Sequence, residues 1–137
     1  GLGNVEGSFF VNQSKLKNFK KFLARTSSYL RQDDVFYDYF TPRQLLRFAS
    51  KLKLPGPNSR REEVIENIIK DLNLEGCADE NVGNFEKKGV SGGEKRRISL
   101  GLELMNDPSM IFLDEPTSGL DSFTTLLVMG ILKKQAK

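Results

Sequence analysis

The stretch GVSGGEKRRISLGLELMNDPSMIFLDEPTSGLD, Gly89 to Asp121, decides how this chain folds. Ser91-Gly92-Gly93-Glu94 places a capping serine three residues before a glutamate, which opens a helix. Ile98, Leu102 and Met105 then share one helical face, and Asp107-Pro108 ends it. Met110-Ile111-Phe112-Leu113 runs straight into Asp114-Glu115-Pro116, which predicts a strand buried on both faces and ending at charged residues. Thr117 to Asp121 reads as a turn, with helix from Ser122 onward. Strand, turn and helix in this order predict an α/β sheet.

The same residues carry the candidate chemistry. A buried strand that delivers two carboxylates puts them at the carboxyl edge of the sheet, where open α/β sheets bind ligands. Asp114 can hold Mg²⁺ directly or through its water shell. Glu115 points differently and can polarise an attacking water. Gly92 and Gly93, without side chains at a helix N-terminus, let backbone N–H groups approach an anion, with the Ser91 hydroxyl beside them. Each feature also has a plain reading: solvated acids at a strand end, or an ordinary capping box. The run Lys87, Lys88, Lys95, Arg96 and Arg97 against Glu94 favours an anion, although a solvated basic face has the same composition.

Outward from this stretch, Val5 to Val11 predicts a strand and a hairpin through Asn12-Gln13-Ser14. Lys17 to Arg25 is short, basic and mildly amphipathic. Tyr29-Leu30-Arg31 reads as a strand end that leads into Gln32-Asp33-Asp34. Thr41-Pro42-Arg43-Gln44 is a capping box with Pro at the first helical position, and Phe40 and Leu45 occupy its hydrophobic-staple positions. The apolar stripe predicted for this helix is Leu45, Phe48, Ala49 and Leu52. Pro55-Gly56-Pro57 breaks it, and Ser59 to Glu62 forms a second box ahead of the face Val64, Ile65, Ile68, Ile69 and Leu72. Gly76 to Gly89 is polar and irregular, and no internal repeat is present.

Composition narrows the function. The 137 residues are one domain's worth of chain, 38% hydrophobic, with 21 Lys and Arg against 18 Asp and Glu for a net charge of +3. That excess is too small to predict nucleic-acid binding. The longest apolar run, Leu126 to Leu132, is far short of the roughly 20 residues that a membrane span needs. The single cysteine, Cys77, cannot form an internal disulfide and reads as a small buried residue in a chain suited to a reducing compartment. Histidine is absent.

Order and spacing join these features. Four apolar residues before Asp114-Glu115 form the Walker B arrangement of nucleotide-hydrolysing enzymes. Gln32 after a strand, two helices, Val90 to Glu94, then Asp114-Glu115 and Ser118-Gly119-Leu120-Asp121 resemble the nucleotide-binding domain of ATP-binding cassette (ABC) transporters from about Val5 to the last residue. Glu94 in place of the commoner Gln, Lys95-Arg96-Arg97, Thr117 to Asp121 and Arg31 to Asp34 resemble the G subfamily, of White and pleiotropic-drug-resistance type.

The resemblance implies an α/β fold: part of a P-loop NTPase core with an inserted α-helical subdomain. Residues 1–31 would belong to the N-terminal core, 32–89 to the Q-loop and helical subdomain, and 90–137 to the signature, Walker B, D-loop and following helix. Gln32 would be the Q-loop glutamine, reaching Mg²⁺ and the attacking water and sensing the membrane domain. Ser91, Gly92 and Gly93, with Glu94, would form the signature motif that grips the γ-phosphate of ATP on a second, partner cassette. Asp114 would be the metal-coordinating residue, Glu115 the general base, and Asp121 the D-loop aspartate at the same dimer interface. Phe36, Tyr37, Tyr39 and Phe40 fall where such cassettes meet their transmembrane domain, so exposed aromatics there would be docking anchors.

None of the 12 glycines precedes a lysine, so the phosphate-binding Gly-x-x-x-x-Gly-Lys-Ser/Thr is missing from these residues. The resemblance places that Walker A motif before Gly1 and a switch histidine after Lys137, which makes the chain an expected internal piece of a larger domain, inactive by itself. Its parent would be an ATPase at the cytoplasmic face of a membrane, moving a lipid, sterol or xenobiotic. Two rivals share some of these motifs: a soluble ABC ATPase acting on nucleic acid or ribosomes, and a non-catalytic interaction module.

Overall fold

A computed structural model describes residues 7–83 and 89–136. Strands β1 (Phe10–Val11) and β2 (Ser14–Lys15) pair antiparallel, Phe10 opposite Lys15 and Val11 opposite Ser14. Asn12 and Gln13 make the two-residue turn at φ 48° and 65°, the doubly left-handed geometry that follows strand twist. The expected hairpin is therefore present on a shorter strand, with Val5 and Glu6 outside the described residues. The basic stretch after it is a helix, α1 (Phe19–Thr26), capped by the Asn18 side chain, which accepts from the Lys21 N–H at 2.9 Å. It leads directly into β3 (Ser27–Leu30).

Helix α2 (Pro42–Lys53) starts as its sequence dictates. The Gln44 N–H donates to the Thr41 hydroxyl at 3.2 Å and the Thr41 N–H to the Gln44 side chain at 3.0 Å. Its buried face differs from the predicted stripe. Pro42, Leu45, Leu46 and Ser50 are buried, while Phe48 is 61% and Leu52 73% exposed. The face is centred on Leu46 because α3 (Asn58–Asp71) and α4 (Gly92–Leu104) both pack there, and that choice of phase belongs to the partners. Buried Ser50 stays satisfied by donating to the Arg47 carbonyl at 2.8 Å.

Helix α3 begins one residue before the predicted box, at Asn58, with Pro57 as an N-cap that has no side-chain bond. The carboxylate that would close the box is committed elsewhere: Glu62 takes a two-pronged bond from Arg47 on α2, at 2.8 and 2.8 Å. Arg43 bonds Glu66 on α3 and Asp79 beyond it. Such partly exposed pairs contribute on the order of 0–1 kcal/mol each and mainly fix the register of the two helices. Apolar burial stabilises the contact far more. Leu46, Ile65, Ile69, Leu72, Leu74, Ile98 and Leu100 are all 0–2% exposed, each contributing roughly 1.5–3 kcal/mol relative to exposure.

Gly101 lets α4 sit this close: a Cβ there would lie 2.7 Å from Leu72 Cδ1 and 2.8 Å from Ile68 Cγ2. On its other side α4 packs against β3, where the Ser28 hydroxyl donates to the Glu103 carbonyl at 2.8 Å. After α4, β4 (Met110–Leu113) pairs parallel with β3, from Ser27 opposite Met110 to Leu30 opposite Leu113. This crossover pair is the α/β feature expected. Burial of β4 on both faces is corrected, since Phe112 is 48% exposed and the other three residues are half-buried. Among the described residues β4 has one neighbouring strand, so its other edge stays open. Helix α5 (Ser122–Gln135) follows, and no helix among the described residues is long and apolar enough to cross a membrane.

Candidate functional site

Parallel pairing brings the loops after β3 and β4 out at one edge. The Asp114 N–H donates to the Leu30 carbonyl at 3.0 Å, extending the ladder one residue past the strands. At this edge the Gln32 side-chain amide donates to Glu115 Oε2 at 3.1 Å, and the Tyr29 hydroxyl donates to Asp114 Oδ2 at 3.0 Å. That bond and the Asp114 charge raise the Tyr29 phenol above its ordinary value. Glu115 adopts φ 44°, a left-handed conformation uncommon for a glutamate, as the chain turns sharply off the strand. Both carboxylates are exposed.

Ser91 caps α4 in a complete box. The Glu94 N–H donates to the Ser91 hydroxyl at 3.2 Å, while the Ser91 N–H and hydroxyl donate to Glu94 Oε2 at 2.7 and 2.8 Å. Burial works to raise the Glu94 carboxyl, but the Ser91 bonds, with help from Cys77 and Arg97, hold it below the ordinary value. Gly92 faces open space. Gly93 does not, because a Cβ there would lie 3.0 Å from Thr124 Cγ2 at the start of α5. The carboxylate of Asp121 caps α5, accepting from the Phe123 and Thr124 N–H groups at 3.1 and 3.3 Å; the Thr124 side chain and then these N–H groups hold its pKa below the ordinary value.

The structure thus brings Gln32, Asp114 and Glu115 together, and places Ser91 to Glu94 and Asp121 at neighbouring helix starts. No hydrogen bond among the described residues joins Ser91 or Asp121 to the two carboxylates. A residue that the sequence pattern groups with the surface lysines makes the link. Arg96 is 3% exposed, and its guanidinium donates to the Arg31, Gln32, Asp114, Glu115 and Pro116 carbonyls and to Asp34 Oδ1. Arg97 is also buried, at 8%, and Lys95 donates to the Gly83 carbonyl at 2.9 Å. The basic run is therefore not a solvated face at Arg96 and Arg97, and Lys95 and Arg96 are committed to protein oxygens; Lys87 and Lys88 lie outside the described residues. Its helical spacing held the signal: Arg96 stands one turn before buried Leu100.

The oxygens available suit Mg²⁺. Asp114 Oδ1 and the Gln32 amide oxygen are left clear of the bonds described above. Among the described residues no three His, Cys, Asp or Glu side chains gather into a cage. One carboxylate and an amide oxygen, completed by phosphate oxygens and water, is the usual Mg²⁺ arrangement.

Of the predicted docking aromatics, Tyr37 and Tyr39 are 76% and 70% exposed and Phe40 39%, whereas Phe36 packs against the core. Cys77 is buried as expected, and burial pushes its thiol up to about 11.

Comparison with known proteins adds a family. The model of a family described as "ABC transporter" matches residues 2–118. "ABC transporter G family member 18" of Arabidopsis thaliana is 39% identical over 136 residues, covering 98% of this chain and 19% of that protein. "ABC transporter G family member 24" of Dictyostelium discoideum is 41% identical over 138 residues, covering 98% and 12%. The "Broad substrate specificity ATP-binding cassette transporter ABCG2" of Mus musculus is 48% identical over 113 residues, covering 81% and 17%. The chain spans about a fifth or less of the length of these relatives.

Proposed function

The chain belongs to the ABC transporter family, whose ATPase part has the P-loop NTPase α/β fold, and from that premise we propose that it is the middle of a G-type nucleotide-binding domain that hydrolyses ATP to drive transport. Residues 1–31 and 90–137 then belong to the core, and 32–89 carry the Q-loop and an inserted helical subdomain built on α2 and α3. The protein containing it works at the cytoplasmic face of a membrane, as a pair of cassettes attached to transmembrane domains, with a lipid, sterol or xenobiotic as cargo. Similarity to G-family transporters supports this reading over a soluble ATPase acting on nucleic acid or ribosomes.

Glu115 accepts the proton of the attacking water, and Gln32, hydrogen-bonded to it, orients that water. Asp114, with Gln32, would hold Mg²⁺, which when bound would supply positive charge to offset the charge that develops on the phosphate. Gly92 and Gly93 offer backbone N–H groups, beside the Ser91 hydroxyl and Glu94, to the γ-phosphate of ATP on the partner cassette. Asp121 fixes the start of α5 at the same interface. Tyr37 and Tyr39 dock against the transmembrane domain.

The observation that carries this reading is the 3.1 Å bond between Gln32 and Glu115, side chains distant in sequence that the parallel strands bring to one edge. The test is steady-state ATPase activity of the full-length protein. Glu115→Gln keeps the shape and removes the base, so kcat should fall by about 10²-fold or more with nucleotide binding retained. Unchanged kcat would refute the assignment.

A further inference from the structure

We propose that Arg96 is a positioning residue for ATP hydrolysis: its buried guanidinium locks the Gln32 loop and the Asp114-Glu115 loop to each other and to helix α4. The inference rests on the function proposed above, and it assigns work to a residue outside the nucleotide-contacting set.

The geometry is that of a fork filled on every prong. Nε donates to the Pro116 carbonyl at 3.0 Å. Nη2 donates to the Asp114 and Glu115 carbonyls at 2.9 and 3.0 Å. Nη1 donates to the Arg31 carbonyl at 2.5 Å, to the Gln32 carbonyl at 3.2 Å and to Asp34 Oδ1 at 3.2 Å. A guanidinium has five N–H donors in one plane, and here all three nitrogens are engaged, Nη1 toward the first loop and Nε and Nη2 toward the second.

Burying a cation is costly unless its hydrogen bonds are made. Arg96 is 3% exposed with one carboxylate partner, Asp34, so backbone carbonyls supply most of the compensation. Three of the five carbonyls belong to the residues whose side chains form the candidate site, Gln32, Asp114 and Glu115, and the other two, of Arg31 and Pro116, flank them. One of them, Glu115, sits at a left-handed φ, and the Nη2 bond holds its carbonyl in that turn. Small displacements of groups that must meet a water and a phosphate are costly in rate. A fixed bridge between their two backbones therefore acts on kcat through Gln32 and Glu115, with no contact to nucleotide. Lysine replaces it only in part, since a point-like ammonium with three donors cannot span two loops as a planar fork does.

The test uses the full-length protein with Arg96→Met and Arg96→Lys, alone and in a Gln32→Ala background, read by ATPase kinetics and amide hydrogen exchange. Arg96→Met should lower kcat at least tenfold with the KM for ATP within twofold, and Arg96→Lys should lie between it and wild type. In the Gln32→Ala background Arg96→Met should lower kcat by a clearly smaller factor than in wild type, because one of the two side chains it positions is already removed. The amides of Asp114 and Ser118, bonded to the Leu30 and Glu115 carbonyls, should exchange at least tenfold faster in the Met variant, with α3 protection unchanged. If Arg96→Met also strips α3 of protection, Arg96→Lys decides: faster loop exchange over an intact α3 supports the bridge, and wild-type exchange overturns it. Wild-type kcat in the Met variant, or full multiplication of the two losses, would overturn the proposal as well. A wild-type protein that hydrolyses no ATP would sink the proposed function, while loop exchange would still decide whether Arg96 fixes the two loops.

Discussion

Glu94 shows how one residue serves the fold while it sits in a motif read as functional. Its carboxylate closes the Ser91 box and is held below its unfolded value, so its contribution to stability is complete above about pH 4.5 and is lost as pH falls through the lower folded value. Glu94→Gln keeps an amide oxygen for the Ser91 N–H and removes the titration. Denaturation midpoints of wild type relative to this variant should be level above pH 5 and should decline below about pH 4.5. At this scale the sequence was legible wherever chemistry is local. Both halves of the Thr41 and Ser91 boxes were readable because partners three residues apart meet in any helix start. Gln32, Asp114 and Glu115 were readable from their order along the chain. Arg96 was legible only in its spacing, one turn before Leu100; its composition points to an anion or to solvent, and nothing local reports the two distant loops that close over it.

Elements were legible in kind and less so in phase. α2 starts and ends where capping residues and prolines place it, but its buried face turns toward Leu46 because α3 and α4 choose it, leaving Phe48 and Leu52 outside. Leu46→Ala should therefore cost about 2–5 kcal/mol in denaturant unfolding. Phe48→Gln, at a position the periodicity alone would have buried, should stay within about 0.5 kcal/mol. Equal losses at both would contradict the observed phase. The second box failed for a related reason: Glu62 is engaged by Arg47 across the α2–α3 contact, and no local pattern reports a competing partner. The strand Met110–Leu113 was recognisable from four apolar residues, while its burial depends on how many strands flank it.

Across the whole molecule, parallel pairing of β3 with β4 gathers Gln32 and Glu115 at one sheet edge, and α4 spans from the Ser91 end to the core beside Gly101. The 137 residues include no Gly-x-x-x-x-Gly-Lys-Ser/Thr cradle for a triphosphate. Produced alone, this polypeptide should show no saturable ATP binding at millimolar concentration and no Mg²⁺-dependent phosphate release, by calorimetry and phosphate assay. The central claim is that Gln32 and Glu115 work as one unit, and a double-mutant cycle on single-turnover ATP hydrolysis by the full-length protein tests it most directly. Gln32→Ala and Glu115→Gln should each slow the step, and the double variant should be no slower than Glu115→Gln alone by more than about threefold. Losses that multiply in full would show that the two side chains act separately, and would contradict the account.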